Sequence, residues 1–366
     1  MNKMTFTAAA ALLAAGAANA QSTLTIYGVA DVAISHYRGE GTGSRTLVTS
    51  GSNQQSRLGF RGKEDLGGGM AAGFELEAGV SNDSGNGQAT NTNNQTSGAT
   101  VAGGLAFNRK SFVSLAGPWG EVRLGRDYVP TFWILFAYDP FRTGVGFGGA
   151  TTQGASPTTA LRASNSIQYL TRQCYAYECE GFHLQTMLAL GENASNTPNS
   201  SDGRVTGARL GYGGGNWDVA VGQTRTKNVA AGDFKQTVLG GSWNFSGGRL
   251  LLQAGRHSTG LPFAGLGNGT KADFWQVGAF INAGPGTIPV AFTRVKRNDV
   301  GEGAANKLAF GYVYPFSKRT AIYATYAHIS NKGSMQLPVN NGADVGPTPV
   351  RGGSASGFDI GLRHSF

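Results

Sequence analysis

Hydrophobic and polar residues alternate along many short stretches of this chain. The stretch LTIYGVADVAIS (24–35) places Ile26 on one side of an extended chain and Asp31 on the other, and AAGFELEAGV (71–80) and KLAFGYVYPF (307–316) repeat the pattern. A period of two is typical of β-strands, whereas helical spacing is nowhere sustained. The chain is therefore predicted to consist almost entirely of strands.

About sixteen such segments can be counted, each roughly 9 to 12 residues long, which is the length that a tilted strand needs to cross a bilayer. The segments are joined alternately by tight turns, such as DLGGGM (65–70) and AGPWGE (116–121), and by long polar loops, such as the stretch 82–104. This alternation of short and long connections predicts an up-and-down antiparallel meander.

The second face of these segments decides which environment the sheet occupies. A soluble β-sandwich also alternates, but its inner face must be apolar to form a core. Here the second face carries Glu, Asp, Arg, Gln and Gly beside small apolar residues, which is too polar for a packed core. A polar inner face is expected if the sheet surrounds water and its apolar face contacts lipid, and a closed sheet leaves no unpaired edge in hydrocarbon. We therefore predict a transmembrane antiparallel β-barrel.

Aromatic residues recur near the predicted strand ends, where amphipathic rings suit a membrane interface. Because aromatic strand ends also occur in soluble sheets, they support the barrel only together with the other features. The residues are Tyr27, Trp119, Tyr128, Trp217, Trp243, Trp275, Tyr314 and Phe366.

The first twenty residues follow a different pattern. They hold one charged residue, Lys3, then an alanine and leucine run, and end on Ala18-Asn19-Ala20. This is typical of a secretory signal peptide, with a buried N-terminal helix as the alternative. We expect residues 1–20 to be removed and residues 21–366 to form one barrel domain. Loss of Lys3 changes the formal charge from +9 to +8.

The chain finishes on a strand pattern that runs to its last residue. In GFDIGLRHSF (357–366), Phe358 and Phe366 share one side with Ile360, Leu362 and His364, while Arg363 lies on the other. We expect this closing strand to pair with residues 24–32 and so to form the seam of the barrel.

Two cysteines, Cys174 and Cys179, stand five positions apart. An exported chain meets an oxidising compartment, so a disulfide across a turn is expected. A reactive thiol pair is the alternative, but the C-x-x-C spacing is absent.

No enzymatic motif accompanies the strands. The five histidines form no H-E-x-x-H pair and no G-x-S-x-G elbow is present, so we predict no catalytic residue, cofactor or metal site. A barrel phospholipase with Ser and His on neighbouring strands is the enzymatic alternative. Nucleic-acid binding is disfavoured because the basic residues do not cluster in a run.

Several motifs together resemble a known family. The stretches SRLGFRGKEDLGGGMAAGFELEAG (56–79) and GEVRLGRDYVPTFW (120–133), the segment beginning YDPF (138) and the terminal IGLRHSF are similar to general porins of Gram-negative bacteria, of the β-proteobacterial and neisserial type. The resemblance implies a barrel of about sixteen strands, a homotrimer in the outer membrane, and a third external loop, residues 130 to about 163, folded into the lumen. In similar proteins the terminal aromatic, here Phe366, is read by the outer-membrane assembly machinery.

The resemblance and the alternation together predict a pore constriction. Alternation turns Arg57, Arg61, Glu75 and Glu77 towards the lumen. For each charge, pairing within the wall is the alternative. The resemblance matches the pore arginines to Arg57, Arg109 and Arg162, with Arg123 extending the ladder, and the acidic side to Glu77 and Asp139.

The basic excess predicts which solutes the channel prefers. A positive lumen raises the local concentration of anions, so we expect passive diffusion of ions and small hydrophilic solutes with a preference for anions. Part of the excess is also expected to meet lipopolysaccharide at the external loops. A substrate-specific channel and an adhesin barrel are the alternatives.

Overall fold

The computed structural model describes residues 23–142, 159–171, 180–260, 270–297, 303–340 and 344–366. Within these ranges no helix is long and apolar enough to cross a bilayer. The expected signal peptide, the expected disulfide between Cys174 and Cys179, and residues 143–158 of the third loop lie outside the described residues. The strands are β1 (Thr23–Gly39), β2 (Gly43–Ser50), β3 (Arg57–Gly67), β4 (Met70–Ser81), β5 (Asn86–Gly87), β6 (Lys110–Gly117), β7 (Gly120–Tyr128), β8 (Arg162–Leu170), β9 (Gly181–Ala189), β10 (Val205–Gly214), β11 (Trp217–Thr226), β12 (Phe234–Phe245), β13 (Gly248–Thr259), β14 (Thr270–Ala283), β15 (Gly286–Arg297), β16 (Gly303–Pro315), β17 (Thr320–Gly333) and β18 (Ser354–Ser365).

The described strands form one antiparallel sheet that closes on itself. The closing pair is β1 with β18, from Val29 opposite Ser365 to Gly39 opposite Ala355. We call the end of the barrel with the short turns the turn end and the end with the long loops the loop end. On its other edge β1 pairs with β3 near the turn end and with β2, a strand within a loop, near the loop end. Because β2 and the two-residue β5 belong to loops, the barrel itself has sixteen strands, and the predicted fold is confirmed.

Alternation along the strands separates the lipid side from the lumen, as the sequence predicted. In β18 the side chains of Phe358, Ile360 and Leu362 are exposed on the outside, while Asp359 is fully buried inside. The end of β15 alternates in the same way, since Arg294 faces out and Arg297 faces in. The apolar surface therefore lies outside and the polar surface inside, which is the inverse of a soluble sandwich.

The third loop enters the lumen as a short helix, α1 (Pro130–Ala137). Proline at the first helical position suits a helix start, and Pro140 disfavours continuation because the preceding residue avoids helical angles. Almost all of the helix is buried, and it packs against the inner faces of β9 to β12. An apolar helix inside a polar lumen is stable only where the wall offers it an apolar or glycine surface.

The wall provides glycines beneath the third loop. A Cβ at Gly240 of β12 would collide with the ring of Tyr138, and one at Gly278 of β14 would collide with Pro140. The Tyr138 hydroxyl donates to Asp218 of β11 at 2.5 Å. Glycine thus allows the loop to approach the wall closely, and the hydrogen bond holds it there.

A second loop also folds inward, which the sequence did not predict. The loop after β17 buries Met335, Leu337 and Val339 in one cluster with Tyr37 of β1. The Asn331 side chain holds this loop, donating to Leu337 O and accepting from Leu337 N, each at 3.0 Å. The loop end of the lumen is therefore narrowed by more than the third loop.

Candidate functional site

A group of basic residues gathers on one wall of the lumen, facing α1. Arg57 begins β3, Arg109 immediately precedes β6, and Arg162 begins β8. Glu77 of β4 lies opposite Gly59 of β3 on one side and opposite Lys110 of β6 on the other. The register of neighbouring barrel strands therefore places these side chains at one height.

Glu77 is shared by two of the arginines. Its carboxylate accepts a hydrogen bond from Arg109 Nε at 2.7 Å and lies 3.2 Å from Arg57 Nε. The Tyr27 hydroxyl, from β1, donates to the same carboxylate at 3.1 Å. Glu77 is almost completely buried, so one carboxylate orients two guanidinium groups and neutralises only one of them.

Glu75 forms the second link on this wall. It accepts from Lys110 Nζ at 2.9 Å and from the Tyr27 hydroxyl at 2.6 Å. Tyr27 therefore connects the two carboxylates. Charge-assisted hydrogen bonds of this kind are short and directional, which fixes the side chains against the flow of solvent.

Tyr128 holds the third arginine. Its ring lies 4.4 Å from the Arg162 guanidinium and 5.9 Å from that of Arg109, measured to the ring centroid. Its hydroxyl accepts from Arg162 Nη2 at 2.8 Å. Among the described residues, Arg162 has no carboxylate within ion-pair distance. A cation over an aromatic face is stabilised without losing its charge.

Two predicted basic residues lie away from this group. Arg123 pairs with Glu121 at 3.0 Å and with Asp127 at 2.8 Å and is almost fully buried. Its charge is therefore compensated within the barrel wall, which is the alternative that the sequence analysis left open. Arg61 lies nearer the turn end, over the Tyr27 ring at 5.3 Å. The basic ladder is therefore shorter than the sequence suggested.

Asp139 does not join the arginines. It is fully buried on the opposite wall, where its carboxylate accepts from Gln276 Nε2 at 3.2 Å and from Phe141 N at 3.0 Å. The predicted acidic residues are thus divided between two places. Glu75 and Glu77 lie beside the cations, whereas Asp139 lies where the third loop contacts β14. Alternation could not predict this, because Asp139 lies in a loop.

The sequence analysis missed one residue of the charged group, Lys110, and expected two tyrosines of this group in the wrong place. Lys110 is in phase with the inward-facing Phe112, so alternation along β6 could have found it. Tyr27 and Tyr128 were expected at the membrane interface, but both point into the lumen and hold charged partners. Tyr27 lies four positions before Asp31, so alternation along β1 puts both on the inner face, and this signal could have placed Tyr27 correctly.

Below the arginines, towards the turn end, the lumen holds a chamber of about 690 Å³. Its charged lining is mixed, with Arg61, Lys63, Lys110 and the wall-paired Arg123 beside Glu75 and Glu121. The wall thus offers a polar, water-accessible path with fixed charges of both signs.

A protein-family comparison agrees with this architecture. The model of the Gram-negative porins matches residues 7–334. The chain belongs to the Gram-negative porin family. This porin is 34% identical to outer membrane porin protein 32 of Delftia acidovorans over the full length of both chains, and 28% identical to an outer membrane porin protein of Bordetella pertussis over 98% of each.

Solved structures give the same result. The barrel superposes on the anion-selective porin from Comamonas acidovorans with a TM-score of 0.77 and 29% identity, over 94% of this porin and all of that chain. OmpT of Vibrio cholerae in its trimer form, at 15% identity and a TM-score of 0.62, shares the fold over 94% of this porin and 99% of that chain. The porin therefore forms a channel for passive diffusion in the outer membrane of a Gram-negative cell.

Proposed function

We propose that this porin prefers anions, and that the arginine wall formed by Arg57, Arg109, Lys110 and Arg162 sets the preference. The observation that carries the proposal is the charge of this wall, because four cations share two carboxylates, Glu75 and Glu77. Rings of Arg and Lys attract anions where a pore is narrow. The similarity to a porin described as anion-selective supports the same conclusion.

The zero-current potential of single channels in a KCl gradient tests this proposal. We expect the sign of an anion-selective channel, and a cation-selective sign would contradict it. Arg162→Gln is expected to reduce the potential without unfolding the barrel, since no carboxylate loses its partner. Arg351→Gln removes the same charge from an exposed external loop and serves as the matched control, expected to behave as the unchanged porin.

We also propose a homotrimer, formed after export with removal of residues 1–20. Support comes from the fold shared with a porin that was solved in a trimer form. Mass measurement of the detergent-solubilised protein tests the trimer, and N-terminal sequencing of the mature protein tests the processing. A monomeric mass, or an intact leader, would contradict the respective proposal.

Lipopolysaccharide is the proposed lipid partner, and the outward face near the loop end fits it. Strands β11 to β15 carry basic side chains there, which point to lipid and which we call the outer basic belt. Two acidic residues accompany them among the described residues, with Asp233 paired to Arg225 and Asp273 paired to Arg256. Phosphate groups of the outer leaflet would neutralise the remainder. The belt comprises Arg225, Lys235, Arg256, Lys271, Arg294 and Lys296.

A further inference from the structure

Arg126 of β7 is a further cation beside the arginine wall. At this position the pairing of β7 with β8 shifts register, so that Arg126 stands opposite two residues of β8, Ser164 and Asn165, instead of one. A β-bulge of this kind re-aims a side chain, and bulges recur beside functional sites. The Arg126 side chain is half-buried, and among the described residues no carboxylate lies within ion-pair distance of it.

The hydrogen bonds that the described structure gives to Arg126 all end on neutral oxygens. Its Nε donates to Asn108 O at 2.7 Å, and its Nη1 donates to Ser164 Oγ at 2.7 Å. A third bond runs from Nη1 to Asn91 O at 3.1 Å. Neutral acceptors fix the direction of a guanidinium but leave its charge intact. Arg126 lies close enough to Arg162 for their charges to repel, so these hydrogen bonds hold the two cations together.

One end of this fork holds the peptide group that carries Arg109. The carbonyl of the group, Asn108 O, accepts from Arg126 Nε. Its N–H, that of Arg109, donates to Glu77 O at 3.0 Å. The Asn108 side chain is held as well, since its Oδ1 accepts from Gly79 N at 2.8 Å. A peptide group held at both ends has little freedom to rotate, and this fixes the direction in which the Arg109 side chain leaves the wall.

The other end of the fork holds β8 two residues after Arg162. There Ser164 Oγ accepts from Arg126 and donates to Asn91 O at 2.5 Å. The Ser164 N–H donates to Asn94 Oδ1 at 2.7 Å. Both asparagines belong to the second external loop, between β4 and β6. One guanidinium thus ties this loop and the starts of β6 and β8 together across β7.

We propose that Arg126 is a positioning residue of the arginine wall, and that its fork sets the spacing of Arg109 and Arg162. Arg126 does not line the chamber below the wall, so its effect on solutes passes through these two residues. A rigid planar fork can hold two strands at once, whereas the ammonium of lysine is a single point of charge on a flexible stem. The proposal rests on the anion preference proposed above.

Zero-current potentials of the full-length porin in a KCl gradient test this role. Arg126→Lys keeps the charge but loses the fork. We expect its permeability ratio of chloride to potassium to fall about threefold, as when two unit charges move from about 4 Å to about 6 Å from an ion in water. Arg126→Gln also removes the charge and is expected to lower the ratio further. An unchanged ratio in Arg126→Lys would overturn the proposal, because charge alone would then account for Arg126.

Gln95→Ala is the matched control for a merely structural role. It removes the hydrogen bonds from the second external loop to Gly191 O and Asn193 Oδ1, and it leaves both ends of the Arg126 fork in place. We expect the permeability ratio of the unchanged porin. A fall as large as that in Arg126→Lys would show that loosening the loop is sufficient, and would overturn the proposal.

A double-mutant cycle shows whether Arg126 acts through Arg162. Arg126→Lys is expected to have a smaller effect in the Arg162→Gln background than alone, and additive effects would overturn the proposal. Ser164→Ala removes the acceptor beside Arg162 and keeps the test available if Arg126→Lys fails to fold. It is expected to lower the ratio, and an unchanged ratio would count against the role of the fork. A cation-selective sign in the unchanged porin would instead overturn the proposed function, so the two failures are distinguishable.

Discussion

At the scale of single residues, Glu77 is the side chain on which the charge of the arginine wall depends most. It touches Arg57, Arg109 and Tyr27, and it contributes one of two negative charges beside four cations. Its carboxylate orients the guanidinium groups and at the same time repels the anions that they attract. Orientation and attraction therefore oppose each other at this position.

Glu77→Gln is expected to increase the anion preference. The amide keeps the shape and one acceptor oxygen but removes a unit charge, and a unit charge 4 Å from an ion in water is worth about 1 kcal/mol, or about fivefold in relative permeability. The zero-current potential in a KCl gradient measures the change. Glu64→Gln removes an exposed charge on the outer side of β3 and should have no effect. A decrease in anion preference would contradict the assigned role of Glu77.

The sequence could predict residues on strands better than residues in loops. Alternation placed Arg57, Glu75 and Glu77 on the inner face because side chains in a strand have only two directions. Asp139 follows a helix in a loop, where no period applies, and its burial behind the loop depends on distant contacts with β14. The ion-pair partner of an arginine also depends on tertiary structure and cannot be found from alternation, as the pairing of Arg123 with Glu121 shows.

At the scale of elements, the docking of the third loop depends on glycines in the wall. Gly240→Ala adds a methyl group where the Tyr138 ring already lies, so the loop must move towards the aperture. We expect a lower single-channel conductance with more frequent closures, while the barrel remains folded by circular dichroism. Gly241→Ala, the next residue, adds its methyl on the outer side and is the matched control. Equal conductance in both variants would show that Gly240 does not position the loop.

The closing strand is a second element whose role depends on one residue. Phe366 N donates to Gly28 O at 3.1 Å and Gly28 N donates to Phe366 O at 3.1 Å, and the phenylalanine ring covers Gly28. Alternation and the apolar ending predicted this seam from the sequence, but its register differs from the expected residues 24–32. Gly28 to Gly39 pair with the closing strand, while residues 24–27 lie beyond its end and pair with β3.

Deletion of Phe366 is expected to impair assembly more than conductance. It removes two backbone hydrogen bonds, each worth about 1 kcal/mol, and the terminal aromatic ring, but it leaves the lumen unchanged. Surface abundance of the deletion variant, compared with that of Phe366→Tyr, measures assembly, while single-channel conductance measures the pore. Normal surface abundance of the deletion variant would refute the prediction.

At the scale of the whole molecule, positive charge is distributed between the lumen and the outer basic belt, and the two locations have different consequences. In the lumen the charges act on solutes. In the belt, Arg225 lies directly opposite Lys235 in the β11–β12 register, and like charges in this relation destabilise a sheet. Asp233 pairs with Arg225 and offsets part of this repulsion, and lipopolysaccharide is the proposed partner for the positive charge that remains.

Lys235→Gln combined with Lys271→Gln separates these two locations, since Lys271 lies opposite the neutral Ser258. Without lipopolysaccharide, the double variant is expected to unfold at the same temperature as the unchanged porin or higher, because repulsion with Arg225 is relieved. With lipopolysaccharide, it should gain about 2 kcal/mol less stability, since each basic side chain contributes about 1 kcal/mol at an anionic surface. Lys318→Gln with Arg319→Gln removes two exposed charges from a turn at the opposite end and should gain as much as the unchanged porin. If both double variants respond equally to lipopolysaccharide, the belt does not bind it, and its charge needs another partner.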